Sequence, residues 1–256
     1  MSFFGWISLG LTSVVAGAIN SVAGGGTLIS FPAALAVGLS PICANATNAV
    51  ALVPGSLASA FAYRRELVSD HRWLVPLIVP SLVGGLIGAF LVLAAPPRVF
   101  ETLVPWLVLG ATILMMLRTP LMKRLGASGP PSKRRVAMVG LGILLMGIYG
   151  GYFGAGIGII TLATLSLLMP MDIHAMNARK TLLASIVNGS AAGIFIAKGV
   201  VNPIAALAMA LGSITGGYFG ARIARRVAPR YVSALVVVIG LVLSVLLFFR
   251  GVGLST

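Results

Sequence analysis

Ten apolar stretches, separated by short polar or glycine-rich breaks, make up most of this chain of 256 residues. A helix needs about 20 apolar residues to cross a bilayer, and most of these stretches approach that length. Two are shorter, and each follows a run of glycines. The pattern predicts helices rather than strands. The stretches are 3–22, 27–38, 45–63, 73–94, 99–118, 136–152, 156–169, 178–197, 203–221 and 231–249.

The second half of the pattern repeats the first. Asn45-Ala46 recurs as Asn177-Ala178, and Pro97-Arg98 recurs as Pro229-Arg230 at the same spacing. The glycines of 17–26 recur in the same way. A shared register through several segments indicates a duplication. We therefore expect a first membrane repeat over 1–118, a basic cytoplasmic linker over 119–135 and a second membrane repeat over 136–256.

Composition supports the membrane interpretation. The chain is 59% hydrophobic and 9% charged, with a mean hydropathy of +1.08, whereas soluble domains have about 25% charged residues. The net charge of +14 does not indicate nucleic-acid binding, because Lys and Arg occur in clusters between apolar stretches. The start of the chain has no basic segment or cleavage site, so we expect it to form the first span and not a removable signal.

The basic clusters also predict the orientation of the repeats. If each glycine-broken stretch turns back to its starting side, all of the 18 Lys and Arg residues except Arg98, Lys198 and Arg250 share one side. The positive-inside rule favours this arrangement over continuous spans. Each half then has two short elements and three spans, so the second half is inverted. The predicted fold is an all-α integral membrane protein with two inverted repeats, each a glycine-broken helical hairpin plus three transmembrane helices.

Polar residues follow the glycine breaks in both halves. Glycine-broken helices at matching positions are the best sequence indication of a transporter's binding site. The pattern predicts that these residues start helices, where exposed amides and the helix dipole favour an anion, and a lysine adds a positive charge. The predicted substrate-binding residues are Gly24, Gly25, Gly26, Asn45, Thr47, Asn48, Gly154, Gly156, Asn177 and Lys180.

Other interpretations stay open for several of these residues. Lys180 is also explained as an ordinary cation at the membrane interface, and we favour that explanation for Arg179. Asn20, Ser56 and Asn188 are weaker lining candidates, since hydrogen bonding between helices explains them equally well. The four acidic residues all fall at predicted span ends, so none is available mid-membrane to carry a proton or hold sodium. We expect no enzyme activity, cofactor or metal, because the sequence has no phosphate-binding loop and a single cysteine.

The two breaks resemble a known family. GAINSVAGGGTLISFPAAL followed by ANATN, and GIYGGYFGAGIGI followed by NARKTLLASIVN, are similar to the paired motifs of the sulfite exporter (TauE/SafE) family, also called TSUP. The resemblance implies a multi-pass permease of the bacterial inner membrane for sulfite, sulfonates or related anions. It implies that the substrate-binding residues predicted above occupy positions in the motifs of this family. The second copy reads GAGIG, where many members have a fuller glycine run.

The sequence thus predicts a secondary transporter that exports a small sulfur-containing oxyanion, such as sulfite or an organosulfonate, by alternating access. Its partners would be that anion and the lipid bilayer, without nucleic acid. An anion channel with the same lining, or a membrane scaffold subunit without transport, are the alternatives. The identity of the anion, the direction of transport, the coupling ion and the existence of a homodimer stay open.

Overall fold

The computed structural model describes residues 3–68, 74–125, 132–167, 172–224 and 229–253, and all of its regular elements there are helices. The helices are α1 (Phe3–Val22), α2 (Thr27–Ala36), α3 (Pro41–Ala62), α4 (Arg64–Val68), α5 (Val75–Ala94), α6 (Pro97–Leu125), α7 (Lys133–Tyr152), α8 (Ile157–Ser166), α9 (Ile173–Ala197), α10 (Pro203–Ile223) and α11 (Pro229–Gly253). Seven of these helices are long and apolar enough to cross a membrane, namely α1, α5, α6, α7, α9, α10 and α11.

Two helices begin four or five residues earlier than hydropathy predicts. Helix α3 begins at Pro41, and α9 begins at Ile173 after Asp172, whose carboxylate accepts a hydrogen bond from the main-chain N–H of His174 at 2.8 Å. Proline at the first position and Asp at the N-cap are ordinary helix starts that apolar content does not register. The basic linker is also shorter than predicted, because α6 extends to Leu125 and α7 begins at Lys133. Residues 126–131 lie outside the described residues.

Each half begins with a hairpin of one long and one short helix. Helices α1 and α7 have 20 residues each, so the expectation of two short elements per half is wrong, and only α2 and α8 are short, with 10 residues each. The chain turns at glycines in the left-handed region, with φ of +79° at Gly24 and +77° at Gly156. Gly26 then contacts the main chain of Ala16, so α2 folds back along α1.

The two halves interlock rather than lying side by side. Helix α1 packs along α10, and its counterpart α7 packs along α5, while α6 and α11 pack together. Glycines allow this close approach: a Cβ placed on Gly17 would lie 2.5 Å from the carbonyl oxygen of Ser213, and one on Gly84 would lie 2.8 Å from the Cα of Gly147. The interlocking brings the turns of both hairpins together inside the bundle.

Apolar side chains cover the outside of the bundle, and many polar ones lie inside. Phe90 and Phe249 are 65% and 74% exposed, whereas Asn45 and Lys180 are 3% and 1% exposed. Lipid tails accept such an apolar surface, and polar groups within a membrane must find partners inside the protein. The chain is a multi-pass membrane protein.

Candidate functional site

The glycine breaks of the two halves touch each other. Gly24 lies between α1 and α2, and Gly158 lies in the first turn of α8. A Cβ placed on Gly158 would lie 2.9 Å from the Cα of Gly24, which is closer than a real side chain permits. The contact therefore needs glycine on both sides, and it joins the turns of the two hairpins.

A small cavity lies beside this contact, and both halves contribute to its wall. Its lining comes from the two hairpins and from the faces of α3 and α9 that point towards them. The space measures about 20 Å³, which is little more than one water molecule needs. The lining residues are Gly17, Asn20, Ser21, Gly24, Thr27, Gly55, Ser56, Ser59, Gly154, Ile157, Gly158, Lys180, Thr181, Ala184 and Asn188.

Among the residues that the structure describes, Lys180 is the one charged residue in this lining. Its side chain is 1% exposed, and its Nζ donates to the Ser21 carbonyl oxygen at 3.2 Å and to Asn177 Oδ1 at 2.9 Å. Its aliphatic part passes Gly158, where a placed Cβ would lie 3.2 Å from the lysine Cδ. Lys180 therefore links α9 of the second half to the end of α1 in the first half.

Different side chains brace the two breaks. In the first half, the main-chain N–H of Gly26 donates to Asn20 Oδ1 at 2.7 Å. In the second half, the Tyr149 hydroxyl donates to the carbonyl oxygen of Ala155 at 2.8 Å. Each bond satisfies a main-chain group that the interrupted helix leaves unpaired, and such groups are costly to bury without a partner.

The predicted site residues of α3, Asn45, Thr47 and Asn48, have other roles in this structure. Asn48, at the position that matches Lys180, accepts a hydrogen bond from Ser30 at 2.5 Å. Asn45 Nδ2 donates to the carbonyl oxygen of Tyr152 at 3.0 Å, across the halves. Thr47 Oγ1 accepts from the main-chain N–H of Asn202 at the start of α10, at 3.0 Å. These side chains hold helices together around the cavity and are not part of its lining.

The predicted residues divide into three groups. Gly24, Gly154 and Lys180 line the cavity. Asn177 touches the cavity's lysine, and Asn48 lies 3.5 Å from Thr27 of the lining. The remaining five lie elsewhere in the described structure, with Gly25 against Met115 and Gly156 near Ala111. This group is Gly25, Gly26, Asn45, Thr47 and Gly156.

The sequence predicts that the polar site residues of α3 and α9 lie in the first turns of these helices. The structure places them further inside. Because α9 begins at Ile173 and α3 at Pro41, Lys180 and Asn48 lie about two turns inside. The helices that begin at the cavity are instead α2 and α8, through Thr27 and Ile157.

Several residues that line the cavity are weaker candidates in the sequence or are not predicted from it. Asn20, Ser56 and Asn188, the weaker candidates, all line the cavity. Lys180, Ala184 and Asn188 follow one another at the four-residue spacing of one helix face, and extending that face from Lys180 would have found them. Ser21, Thr27, Ser59 and Thr181 were not predicted. Arg179, expected at the membrane interface, is 3% exposed and donates to the carbonyl oxygen of Ala175 at 3.1 Å.

The chemistry of the lining is that of a site for a negative charge. It combines one ammonium with the hydroxyl and amide groups of serine, threonine and asparagine. These neutral groups donate hydrogen bonds and rotate to suit a ligand. Among the described residues, no carboxylate belongs to the lining. Glu66, Glu101 and Asp172 lie in α4, in the first turns of α6 and at the start of α9.

The chain is similar to membrane transporters from several bacteria. The model of the family described as sulfite exporter TauE/SafE matches residues 9–247. A probable membrane transporter protein of Escherichia coli K12, YfcA, is 28% identical over 249 residues, covering 94% of this chain and 88% of the relative. The probable membrane transporter protein ORF9 of a Sinorhizobium species is 27% identical, covering 92% and 89%.

The probable membrane transporter protein YunE of Bacillus subtilis is 24% identical, covering 98% of this chain and 99% of the relative. No solved structure gives a significant match. The family model covers nearly all of the chain, including both glycine breaks and the residues of the cavity. The chain therefore belongs to the sulfite exporter TauE/SafE family of membrane transporters.

Proposed function

We propose that this protein exports a small sulfur-containing oxyanion, such as sulfite or an organosulfonate, across the bacterial inner membrane. The anion binds in the cavity between the two glycine breaks. Lys180 supplies the opposite charge, and the surrounding hydroxyl and amide groups bind the oxygens. An inside-negative potential favours exit of an anion by about 2.3 kcal/mol per charge per 100 mV.

The observation that carries this proposal is the position of Lys180. Burying a charged side chain is costly, and ionisable residues inside a membrane protein commonly mark the pathway of a substrate or ion. Here the ammonium lies in the lining of a cavity that both halves form, among neutral hydrogen-bonding groups. An anion that enters the cavity would meet a full positive charge in a place from which water is largely excluded.

The size of the cavity supports alternating access over an open channel. A space of about 20 Å³ admits little more than one water molecule. An oxyanion with several heavy atoms is larger, so the helices around the cavity must move apart to admit it. In the proposed cycle, the two halves open the cavity first to one side of the membrane and then to the other.

The directions of the helices support an inverted repeat. Gly10 and Ala18 of α1 contact Gly212 and Gly220 of α10, so these two helices run in the same direction. Asn45 and Thr47, less than one turn apart on α3, bind the end of α7 and the start of α10. The end of α7 thus lies level with the start of α10. Helix α7 then runs opposite to α1, its counterpart in the first half.

Flux through purified protein in liposomes tests the proposal. Sulfite, thiosulfate, sulfoacetate, sulfate and acetate are each loaded, and efflux and counterflow are measured beside protein-free liposomes. We expect saturable efflux of a sulfur oxyanion with counterflow, which an open channel would not show. Absence of flux for all five anions, in efflux and in exchange, would contradict the proposal and favour a scaffold role.

A further inference from the structure

The atoms that hold the Lys180 ammonium are of the kind that binds a free cation. Its Nζ donates to two oxygens, one from the main-chain carbonyl of Ser21 and one from the side-chain amide of Asn177. In secondary transporters built from broken helices, free carbonyls and helix C-terminal ends coordinate the coupling sodium ion. The ammonium of Lys180 is a cation that belongs to the chain itself, and it binds oxygens of the same kind.

The location of these oxygens fits this interpretation. Ser21 lies in the last turn of α1, directly before the glycine break. The carbonyl groups of a last helical turn lack partners within the helix, and they form the negative end of the helix dipole. The ammonium of Lys180 lies at that end, 3.2 Å from the Ser21 oxygen. These two oxygens therefore stabilise a positive charge at the end of α1.

The position of the first half that matches Lys180 carries no charge. Asn48 occupies the position that matches Lys180, and it binds Ser30 and Thr27 on α2 of its own half. It does not reach the end of a long helix in the other half. Of the two matching positions, one therefore supplies a cation and the other supplies neutral hydrogen bonds. The cavity receives one positive charge from this pair.

We propose that Lys180 is a built-in counter-cation that takes the place of a free coupling cation. Its ammonium fills the oxygen-lined position at the end of α1 and balances the charge of the transported anion. Anion binding and transport then need neither sodium nor potassium. This inference rests on the proposed anion transport and adds to it the absence of a free coupling cation.

The experiment compares the wild type with three variants in proteoliposomes, with sulfite as the probe. Wild-type efflux is measured with sodium and potassium on both sides and again with both replaced by N-methylglucamine. Lys180→Ala leaves a space for a small amine, whereas Lys180→Met fills the space without charge. Both are measured with and without methylammonium. Lys198→Ala, at the exposed C-cap of α9, is the matched control.

We expect wild-type efflux to be unchanged when sodium and potassium are removed. Lys180→Ala should lose roughly tenfold or more of its efflux, the usual effect of losing a buried charged partner. Methylammonium should restore part of that loss in Lys180→Ala but not in Lys180→Met. Lys198→Ala should behave as the wild type in every solution.

The outcomes separate this inference from the proposed function. If wild-type efflux of sulfite requires sodium or potassium, transport stands and the built-in cation is overturned. A folded Lys180→Ala that methylammonium does not restore also overturns it. If the variant does not fold, as judged by size-exclusion chromatography, the wild-type salt replacement decides. A wild type that moves none of the five anions refutes the proposed function itself.

Discussion

The two glycine breaks have similar sequences, but they are held in different ways. In the first break an asparagine side chain accepts from a main-chain N–H, whereas in the second a tyrosine hydroxyl donates to a main-chain carbonyl. The residue that follows on the next helix is Asn48 in one half and Lys180 in the other. Asn48 binds its own hairpin, and Lys180 reaches across to the other half.

This difference indicates that the two halves contribute differently to the cavity. The first half provides most of the neutral polar side chains of the lining, through Asn20, Ser21, Thr27, Ser56 and Ser59, and the second half provides the charge of Lys180. A cavity formed by two unlike halves can place this charge on one side of a ligand. Four substitutions test this division, from the largest expected effect to the smallest.

Lys180→Asn makes the second half match the first at this position. We expect sulfite efflux to fall by roughly 10- to 100-fold, because a hydrogen bond to a charged group contributes about 1.5–3 kcal/mol. Efflux from proteoliposomes is the measurement, and Lys198→Asn is the control on the same helix. If Lys180→Asn exports sulfite at the wild-type rate, the two halves do not differ in the way described.

Gly24→Ala tests whether the first break needs its close contact with the second. Alanine at φ of +79° is strained, and its Cβ would lie 3.0 Å from the Cα of Gly158. Gly38→Ala is the matched control, because Gly38 has φ of +93° with nothing within 4 Å. Strain alone costs about 1–3 kcal/mol, so thermal unfolding in detergent should show a larger loss for Gly24→Ala. Equal losses would exclude a role for the contact.

Asn20→Ala removes the brace of the first break. The N–H of Gly26 then has no acceptor from this side chain, which should destabilise the protein by about 1–3 kcal/mol. The decrease in melting temperature in detergent measures the effect. Ser8→Ala, which removes an exposed hydroxyl from the same helix, is the control. A melting temperature equal to that of the control would mean that the turn does not depend on Asn20.

Tyr149→Phe removes the brace of the second break and should have the smallest effect. The hydroxyl donates to one carbonyl oxygen, and a neutral hydrogen bond contributes about 0.5–1.5 kcal/mol. The same melting measurement applies, with Tyr218→Phe, at a half-buried tyrosine on α10, for comparison. A decrease in melting temperature larger than that of Asn20→Ala would show that the brace of the second break stabilises the protein more than the brace of the first.

Local chemistry made much of the fold predictable. Apolar length located the helices, and the glycine runs located both turns within a residue or two. Helix starts were less well predicted, since α3 and α9 begin four and five residues before their apolar stretches. Pro41 and Asp172 were the available signals, and they act through backbone geometry and hydrogen bonding, which hydropathy does not measure.

The candidate site was predictable in part. Lys180 was identified because an apolar stretch follows it at once and because the matching position of the first half carries Asn48. Asn45 and Thr47 looked equivalent to the residues around it, yet they bind Tyr152 and Asn202 outside the cavity. Which polar side chains of a membrane helix meet a cavity depends on the helices packed against it, and sequence spacing does not identify those neighbours.

The sequence by itself determined that the chain is helical and membrane-spanning and that it breaks at two glycine runs. These are properties of single residues and short stretches, because hydropathy and backbone freedom are local. Only the tertiary structure decided that Gly24 meets Gly158 and that Lys180 binds Ser21, a residue 159 positions away. Such contacts depend on how two interlocked halves pack, and that packing is a property of the whole bundle.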